Sequence, residues 1–433
     1  MRAYYGALHL LLACCVEAFT NQRMSERALV APLQSTAVGD GGGAGGVNEK
    51  AVSVNQLVSD AKTVKELLSV APQIKLPGDP LMHWERQLVH RRRRQRGAAS
   101  AITRLSKMLV GWTNVEARKA ALTESNFSRL LAAASAPTGG EDEDLSDIRS
   151  YIAVVRATAI LLSEPMRGGG QNALASHQEI LHSLLTKIDA VLVQGLLPDH
   201  ELDGLYWAAQ RLGYKGENQN LASLWTKLNL PFSVHQGLTS SSLSLDQVIE
   251  QVRFEQSVLT TRDKKKVVER RKTCWMAEKN VGGLAYSGKI MSPVPFSPCI
   301  SNVRDHLEQC TGQYFDCCLI NLYEDGDCAC AYHSDPDLGT IFARESFIVS
   351  VGETRRFNIK KNGQEPHVYH VFDGDVFCME RNCNDDWIHS ISPSEGDQNN
   401  GPRVSIVFKR TIPGPGGKRG HGLPRSAQRP SSK

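Results

Sequence analysis

Three side chains in the last third of the chain have the types needed to hold a redox-active metal. His333 and Asp335 are one residue apart in NLYEDGDCACAYHSD, residues 321–335, and His389 follows much later in WIHSIS. Two imidazoles and one carboxylate from different strands form the facial triad of non-haem Fe(II) oxygenases, which leaves coordination positions open. Three protein ligands leave three iron positions free, two for a keto acid and one for dioxygen. A Zn(II) hydrolase is the competing metal chemistry. It explains the ligands but not the positive charge after the last one, at Arg403. His367 and His370 are rival third ligands. They lie on an expected strand with no aromatic bracket, and read instead as surface or strand residues.

The elements that must position these residues are strands. From Cys274 onward the pattern is of short β segments: Cys318–Tyr323, Ser346–Val351, Arg356–Lys360, His367–Phe372, Val376–Glu380, Trp387–Ser392 and Arg403–Arg410. Many alternate apolar and polar residues, with turns such as Lys361-Asn362-Gly363 between them. Metal ligands on non-adjacent antiparallel strands fit a two-sheet jelly roll, the double-stranded β-helix. One helix, Ile300–Cys310, should pack on its outside. Upstream, from about Val52 to Leu230, SYIAVVRATAILLSEP, EILHSLLTKIDAVLVQGLL, ELDGLYWAAQRLG and NLASLWTKLNL carry apolar residues at three-to-four spacing. The expectation is an α+β chain with four parts. A targeting segment and Gly-rich linker fill 1–51, and an all-α region 52–250. A catalytic domain fills 251–412, and a disordered basic tail 413–433.

The net charge of +4 is mild, so any preference for a polyanion must come from local patches. Two such patches exist. HRRRRQR, His90–Arg96, reads either as a phosphate-contacting arm or nuclear import signal, or as a solvated helix face. The second, Arg262–Lys272, abuts the catalytic domain. Eleven cysteines without a CxxC pair suggest reduced, mostly buried thiols rather than a disulfide framework. Residues 1–23 resemble a signal-like start and lead into a basic, hydroxyl-rich stretch. Together they suggest organellar targeting, to a plastid or a mitochondrion, with nucleus or cytoplasm as the alternative. The apolar run is too short to span a bilayer, so no stable membrane association of the mature protein is expected. The helical region reads as a bundle that binds RNA or a protein partner, or acts as a spacer; no fixed repeat period is present.

Residues 274–410 resemble the AlkB family of nucleic-acid dealkylating dioxygenases. The resemblance rests on ordered motifs: YSG at Tyr286, SPVPF at 292–296, TGQYF at 311–315, NLYEDG at 321–326, YHSD, SVGETRRF at 350–357, WIHSI and RVSIVF. It implies that His333, Asp335 and His389 hold Fe(II), and that Asn321, Tyr323 and Arg403 hold 2-oxoglutarate, with dioxygen as cosubstrate. The family usually has an asparagine two residues after that arginine and a second arginine six after it. Here those positions are Ser405 and Lys409, with Arg410 one step beyond. Strand neighbours face opposite ways, which favours Lys409 over Arg410. Tyr286 lies where the family stacks an aromatic on the flipped base, opposite the first iron histidine. Asp337 matches an acid near the base, and Arg271 is expected to contact the nucleic-acid strand. The implied activity is oxidative demethylation of N-alkylated bases in DNA or RNA, with single strands as the first guess because no hydrophobic wedge stands out. The rivals are a protein-directed dioxygenase of the same family, and a helical RNA-binding protein with a degenerate dioxygenase module.

Overall fold

The computed structural model describes residues 54–62, 64–71, 84–110, 125–136, 145–161, 177–214, 219–239, 243–260, 265–286, 289–394 and 401–412. The expected targeting segment and linker, the basic tail and residues 262–264 of the second basic patch lie outside the described residues.

The upstream region is helical as its periodicity requires. Its described helices are α1 (Val54–Asp60), α2 (Val64–Leu68), α3 (Trp84–Leu109), α4 (Ser125–Ser135), α5 (Leu145–Leu161), α6 (Gln178–Val191), α7 (Asp199–Arg211) and α8 (Gln219–Leu228). In α6 the buried residues are Leu181, Leu184, Leu185 and Ile188, one stripe at helical spacing. The HRRRRQR run lies inside α3, where Gln95 is buried and Arg92, Arg94 and Arg96 are half-buried, so these members do not form a fully solvated face. Among the described residues, no helix is long and apolar enough to cross a membrane.

The helical pattern ends near Leu230 as read, but the stretch to residue 250 is not all helical. Phe232–His235 is a strand, β1, and it pairs with Val376–Met379 of the catalytic sheet. The short helix α9 (Leu245–Gln251) follows, opened by a Ser244–Gln247 capping box. Then come β2 (Glu255–Thr260), β3 (Lys266–Ala277), β4 (Leu284–Tyr286), β5 (Lys289–Met291) and α10 (Pro298–Thr311). The remaining elements are β6 (Cys317–Tyr323), β7 (Cys330–His333), β8 (Ser346–Gly352), β9 (Arg355–Lys361), β10 (His367–Val371), β11 (Val376–Met379), α11 (Cys383–Asp386), β12 (Trp387–Ile391) and β13 (Arg403–Lys409).

These strands form a seven-stranded sheet, β1-β11-β8-β13-β6-β3-β2, and a four-stranded sheet, β10-β9-β12-β7, both with antiparallel pairing. From β6 to β13 the chain passes back and forth between the two sheets, an order consistent with the expected roll. The large sheet is buried on both faces. Cys318, Ile320, Leu322, Val404, Ile406 and Phe408 join the core that includes α9 and α10. Alternate residues such as Tyr323 and Val407 belong to the second core, which also contains Phe357, Ile359 and Ile391 of the small sheet. That core continues without a break into helices α1 to α8, so the helical region is packed against the roll and does not stand off as a spacer. The nine cysteines of residues 274–383 are free thiols, six of them buried.

Where the two sheets diverge at the β1 and β10 edges, α7 closes the gap. Asp203 of α7 accepts hydrogen bonds from His367 Nδ1 at 2.8 Å, from the Tyr369 hydroxyl, and from Trp225 Nε1 of α8 at 2.9 Å. Arg211, at the end of the same helix, is paired with Asp375, and both side chains are almost fully buried. Asp375 also accepts from the backbone of Gly237 and Phe372. His367 and His370 are therefore buried rather than on the surface, and His367 ties sheet to helix.

Candidate active site

At the opposite edge of the sandwich, the alternation that fills the core with Val and Ile delivers polar groups instead. His333 closes β7 and His389 sits in the middle of β12, directly across from it in the strand register. Their rings are 4.3 Å apart between centroids, and Phe357 of β9 lies parallel to His389 at 5.4 Å. The register slips between His389 and Ile391, which pair with His333 and Cys330. This bulge gives β7 an extra residue, so Cys330 and His333 both line the same cavity although they are three positions apart.

Asp335 lies two residues past β7, in a loop held by α11. Its N–H donates to Asn384 Oδ1 at 2.7 Å, and its carbonyl accepts from Asn384 Nδ2 at 2.9 Å. The carboxylate is then divided between two jobs. Oδ1 is 3.6 Å from His333 Nε2 and 3.8 Å from His389 Nε2, while Oδ2 accepts from Lys409 Nζ at 2.6 Å. One ligand atom from each of His333, Asp335 and His389 falls within 4.8 Å of the others, within the reach of a single ion.

The electrostatics suit a cation. Burial alone would raise the Asp335 carboxyl, but Lys409 and the two histidines outweigh it and hold it well below the usual carboxylate range. Burial, followed by the neighbouring His333, pushes His389 down to about 3, which keeps it as the neutral imidazole that ligates metals. His333 goes the other way. Burial opposes it, but Asp335 and Cys330 pull it up to about 11, so a metal binding there must displace a proton.

Along β13 the inward positions are Arg403, Ser405, Val407 and Lys409, and all four line the cavity. The strand pairs with β6 one-to-one from Arg403↔Tyr323 to Lys409↔Cys317, without a bulge. Lys409 is therefore the residue that reaches the site, and Arg410 does not line it. The Arg403 guanidinium is wholly buried. Its Nε donates to Ser350 at 3.2 Å, and its carbon lies 5.3 Å from the Tyr323 ring centroid, but neither terminal nitrogen makes a hydrogen bond. Burial pushes it down to about 10. Asn321 Nδ2 donates to Ser405 Oγ at 3.1 Å, and its buried Oδ1 has no donor. The amide can be turned with Ser405 as the donor, so in either sense one polar atom of Asn321 is left over for a ligand. Two unpaired donors on a buried planar cation are costly unless a carboxylate fills the fork. The residues present thus fit a divalent ion beside a dicarboxylic keto acid.

The expected substrate residues are placed unevenly. Arg271, on β3, lines the cavity, with Nη1 donating to Cys330 Sγ at 2.9 Å and Nε to Glu269 at 3.0 Å. Asp337 does not line it; the neighbouring Pro336 does. Asp337 has a positive φ of 62° and its carbonyl accepts from the N–H groups of Thr340, Ile341 and Phe342, so its backbone shapes the turn. Tyr286 ends β4, and its side chain lies outside the described residues. Two contributors were missed from the sequence, Asn384 and Phe357. Asn384 follows a cysteine in a four-residue helix that gives no periodic signal, whereas Phe357 could have been found from its place in the alternation of β9.

The family model of the 2OG-Fe(II) oxygenase superfamily matches residues 237–409. An uncharacterized protein, R406, of Acanthamoeba polyphaga mimivirus is 31% identical over 179 residues, covering 40% of this chain and 92% of that protein. The DNA oxidative demethylase ALKBH2 of Bos taurus is 30% identical over 142 residues, 30% of this chain and 50% of that protein. The human alpha-ketoglutarate-dependent dioxygenase alkB homolog 3 is 32% identical over 162 residues, 34% of this chain and 54% of that protein. The chain thus spans nearly all of the viral protein but only about half the length of the two named dioxygenases.

Proposed function

Because this chain belongs to the 2OG-Fe(II) oxygenase superfamily, whose members use Fe(II), 2-oxoglutarate and dioxygen, we propose that it is an oxidative dealkylase of N-methylated bases in DNA or RNA. The sheet order supports reading the catalytic domain as a double-stranded β-helix. The observation that carries the proposal is the convergence in one cavity of the His333–Asp335–His389 cluster, the unpaired Arg403 fork and Arg271. Likeness to proteins named as DNA oxidative demethylase and alkB homolog 3 supports nucleic acid as the substrate class.

In this reading His333, Asp335 and His389 hold the iron. Arg403 takes one carboxylate of the cosubstrate as a bidentate fork, with Asn321, Ser405 and Tyr323 beside it. Lys409 holds Asp335 so that a single carboxylate oxygen faces the histidines. Iron, 2-oxoglutarate and dioxygen together supply the oxidising equivalents that hydroxylate an N-methyl carbon. The hydroxymethyl product then breaks its N–C bond and releases formaldehyde. Tyr286 would stack on the base, and Arg271 would meet the strand. Residues 1–51 would direct the protein to an organelle, which a fluorescent fusion of that segment tests.

The proposal is tested by incubating the protein with iron, ascorbate and 2-oxoglutarate on methylated single-stranded DNA and RNA oligomers, then reading the bases by mass spectrometry. Loss of a methyl mass matched by formaldehyde is the expected result. Succinate formation without any change in either polymer would contradict it and favour a protein substrate.

A further inference from the structure

β4 and β5 form a two-stranded sheet of their own with three residues each, paired from Leu284↔Met291 to Tyr286↔Lys289. A hairpin this short has no independent stability in water. Yet it forms part of the site, because buried Leu284 lines the cavity that holds the metal cluster. Something outside the hairpin must hold it there, and much of its outer surface cannot help: Ile290 is 80% exposed.

Beside the apolar packing of Leu284 and Met291 on the core, the attachment is polar. Lys289 Nζ donates to Glu269 Oε2 at 2.7 Å, to Thr273 Oγ1 at 3.0 Å and to Ser257 Oγ at 3.2 Å, so one ammonium pins β5 to both β2 and β3. The other Glu269 oxygen, Oε1, accepts from Arg271 Nε at 3.0 Å, and Arg271 reaches on to Cys330 in the cavity wall. Glu269 is the buried member of an otherwise exposed run, Lys266–Arg270, with its side chain only 4% exposed. A carboxylate so placed would be costly without its two cations. Burial lowers the Lys289 ammonium while Glu269 raises it, so the ammonium leans on that carboxylate.

We propose that Glu269 is a positioning residue for substrate: its two oxygens couple the β4–β5 hairpin, through Lys289, to the Arg271 side chain in the cavity wall. The inference rests on the dealkylase reading for its substrate, but not for its mechanics. Leu284 of the hairpin and Arg271 both line the cavity, beside apolar side chains such as Leu319, Ile348 and Phe357. Holding both from one carboxylate fixes the width of the opening that a base must enter. Glu269 touches neither the metal cluster nor the Arg403 fork, so its effect should fall on substrate and spare the cosubstrate.

The test uses full-length Glu269→Gln, Lys289→Met and the double variant. Hydrogen exchange at the amides of 284–291 should speed up about tenfold in either single variant, and no further in the double, because residues in one network are not additive. Exchange in β6 and β13 should stay unchanged. With a methylated oligomer, the substrate KM should rise about tenfold while kcat and the 2-oxoglutarate KM move less than about twofold, the pattern of a lost binding contribution. Unchanged exchange in the hairpin would overturn the coupling. Faster exchange spread through β6 and β13 would also overturn it, by showing a general structural role. If no oligomer is turned over by the wild-type protein, the dealkylase reading fails, and the exchange data still decide whether Glu269 holds the hairpin.

Discussion

The two ends of the roll treat buried charge in opposite ways. At the β1 and β10 edge, Asp203 and Asp375 each accept three hydrogen bonds, from helix side chains, strand side chains and backbone. At the other edge, Arg403 keeps two buried nitrogens without acceptors, Asn321 keeps an oxygen without a donor, and two histidines crowd one carboxylate oxygen. The first arrangement is a staple between helix and sheet. The second is a set of charges arranged for partners that are not protein. Burial by itself does not separate the two, since Arg211 and Arg403 are buried alike; what separates them is that a terminal nitrogen of Arg211 meets a carboxylate and neither terminal nitrogen of Arg403 does.

The largest effect that sharpens this contrast is at the metal cluster. His389→Ala should abolish succinate formation while urea unfolding stays cooperative, because two protein ligands cannot hold the ion in the open site. Near-normal turnover would remove His389 from the cluster. Next comes the staple. Arg211→Ala leaves Asp375 buried without its cation and should cost about 3–5 kcal/mol of stability, read by urea denaturation. A loss below about 1 kcal/mol would mean that the Arg211–Asp375 pair adds nothing net to holding α7 on the roll. The smallest effect is at Lys409. Lys409→Arg should leave 2-oxoglutarate binding within about twofold of wild type, since arginine keeps a cation on the Asp335 carboxylate, and Arg410→Ala should be silent. Binding lost in both variants, measured by calorimetry, would place Arg410 in the site.

The open edge was largely legible in the sequence and the staple was not. His333, Asp335, His389 and Arg403 stand in recognisable motifs, and an unbroken β13 carries strand alternation from Arg403 through to Lys409, whereas Asp335 is placed by a loop held on Asn384. All seven expected strands are present to within a residue or so at their ends, as is the expected outer helix. β7 was missed because its bulge breaks the period of two that marks a strand. β3 was missed because its first half is charged, and its cations read as a basic patch while Glu269 and Arg271 turn inward. Asp203 and Arg211 look like the polar face of an ordinary amphipathic helix. Their partners on the roll are more than 160 residues away in sequence, and only the fold brings them together. Asp337, which the resemblance places near the base, does not line the cavity, and its backbone makes a turn beside it.

The claim that the open edge is held ready for ligands is tested most directly by the stability of Arg403→Met with and without them. Unfolding free energies would be measured for wild type and variant, first alone and then with saturating 2-oxoglutarate and Mn(II), a redox-silent stand-in for iron. Without ligands, the variant should be as stable as wild type or more so, because it removes a buried cation with unpaired donors. With ligands, the order should reverse. Wild type should gain stability as binding to the folded state requires, about 2.7 kcal/mol at a hundredfold excess over Kd. The variant should gain far less, because losing a buried charged partner weakens binding by about 2–5 kcal/mol. If Arg403→Met is instead destabilised several kcal/mol without ligands, as Arg211→Ala is expected to be, and both proteins gain equally from the ligands, then Arg403 is a second staple and the account of this site is wrong.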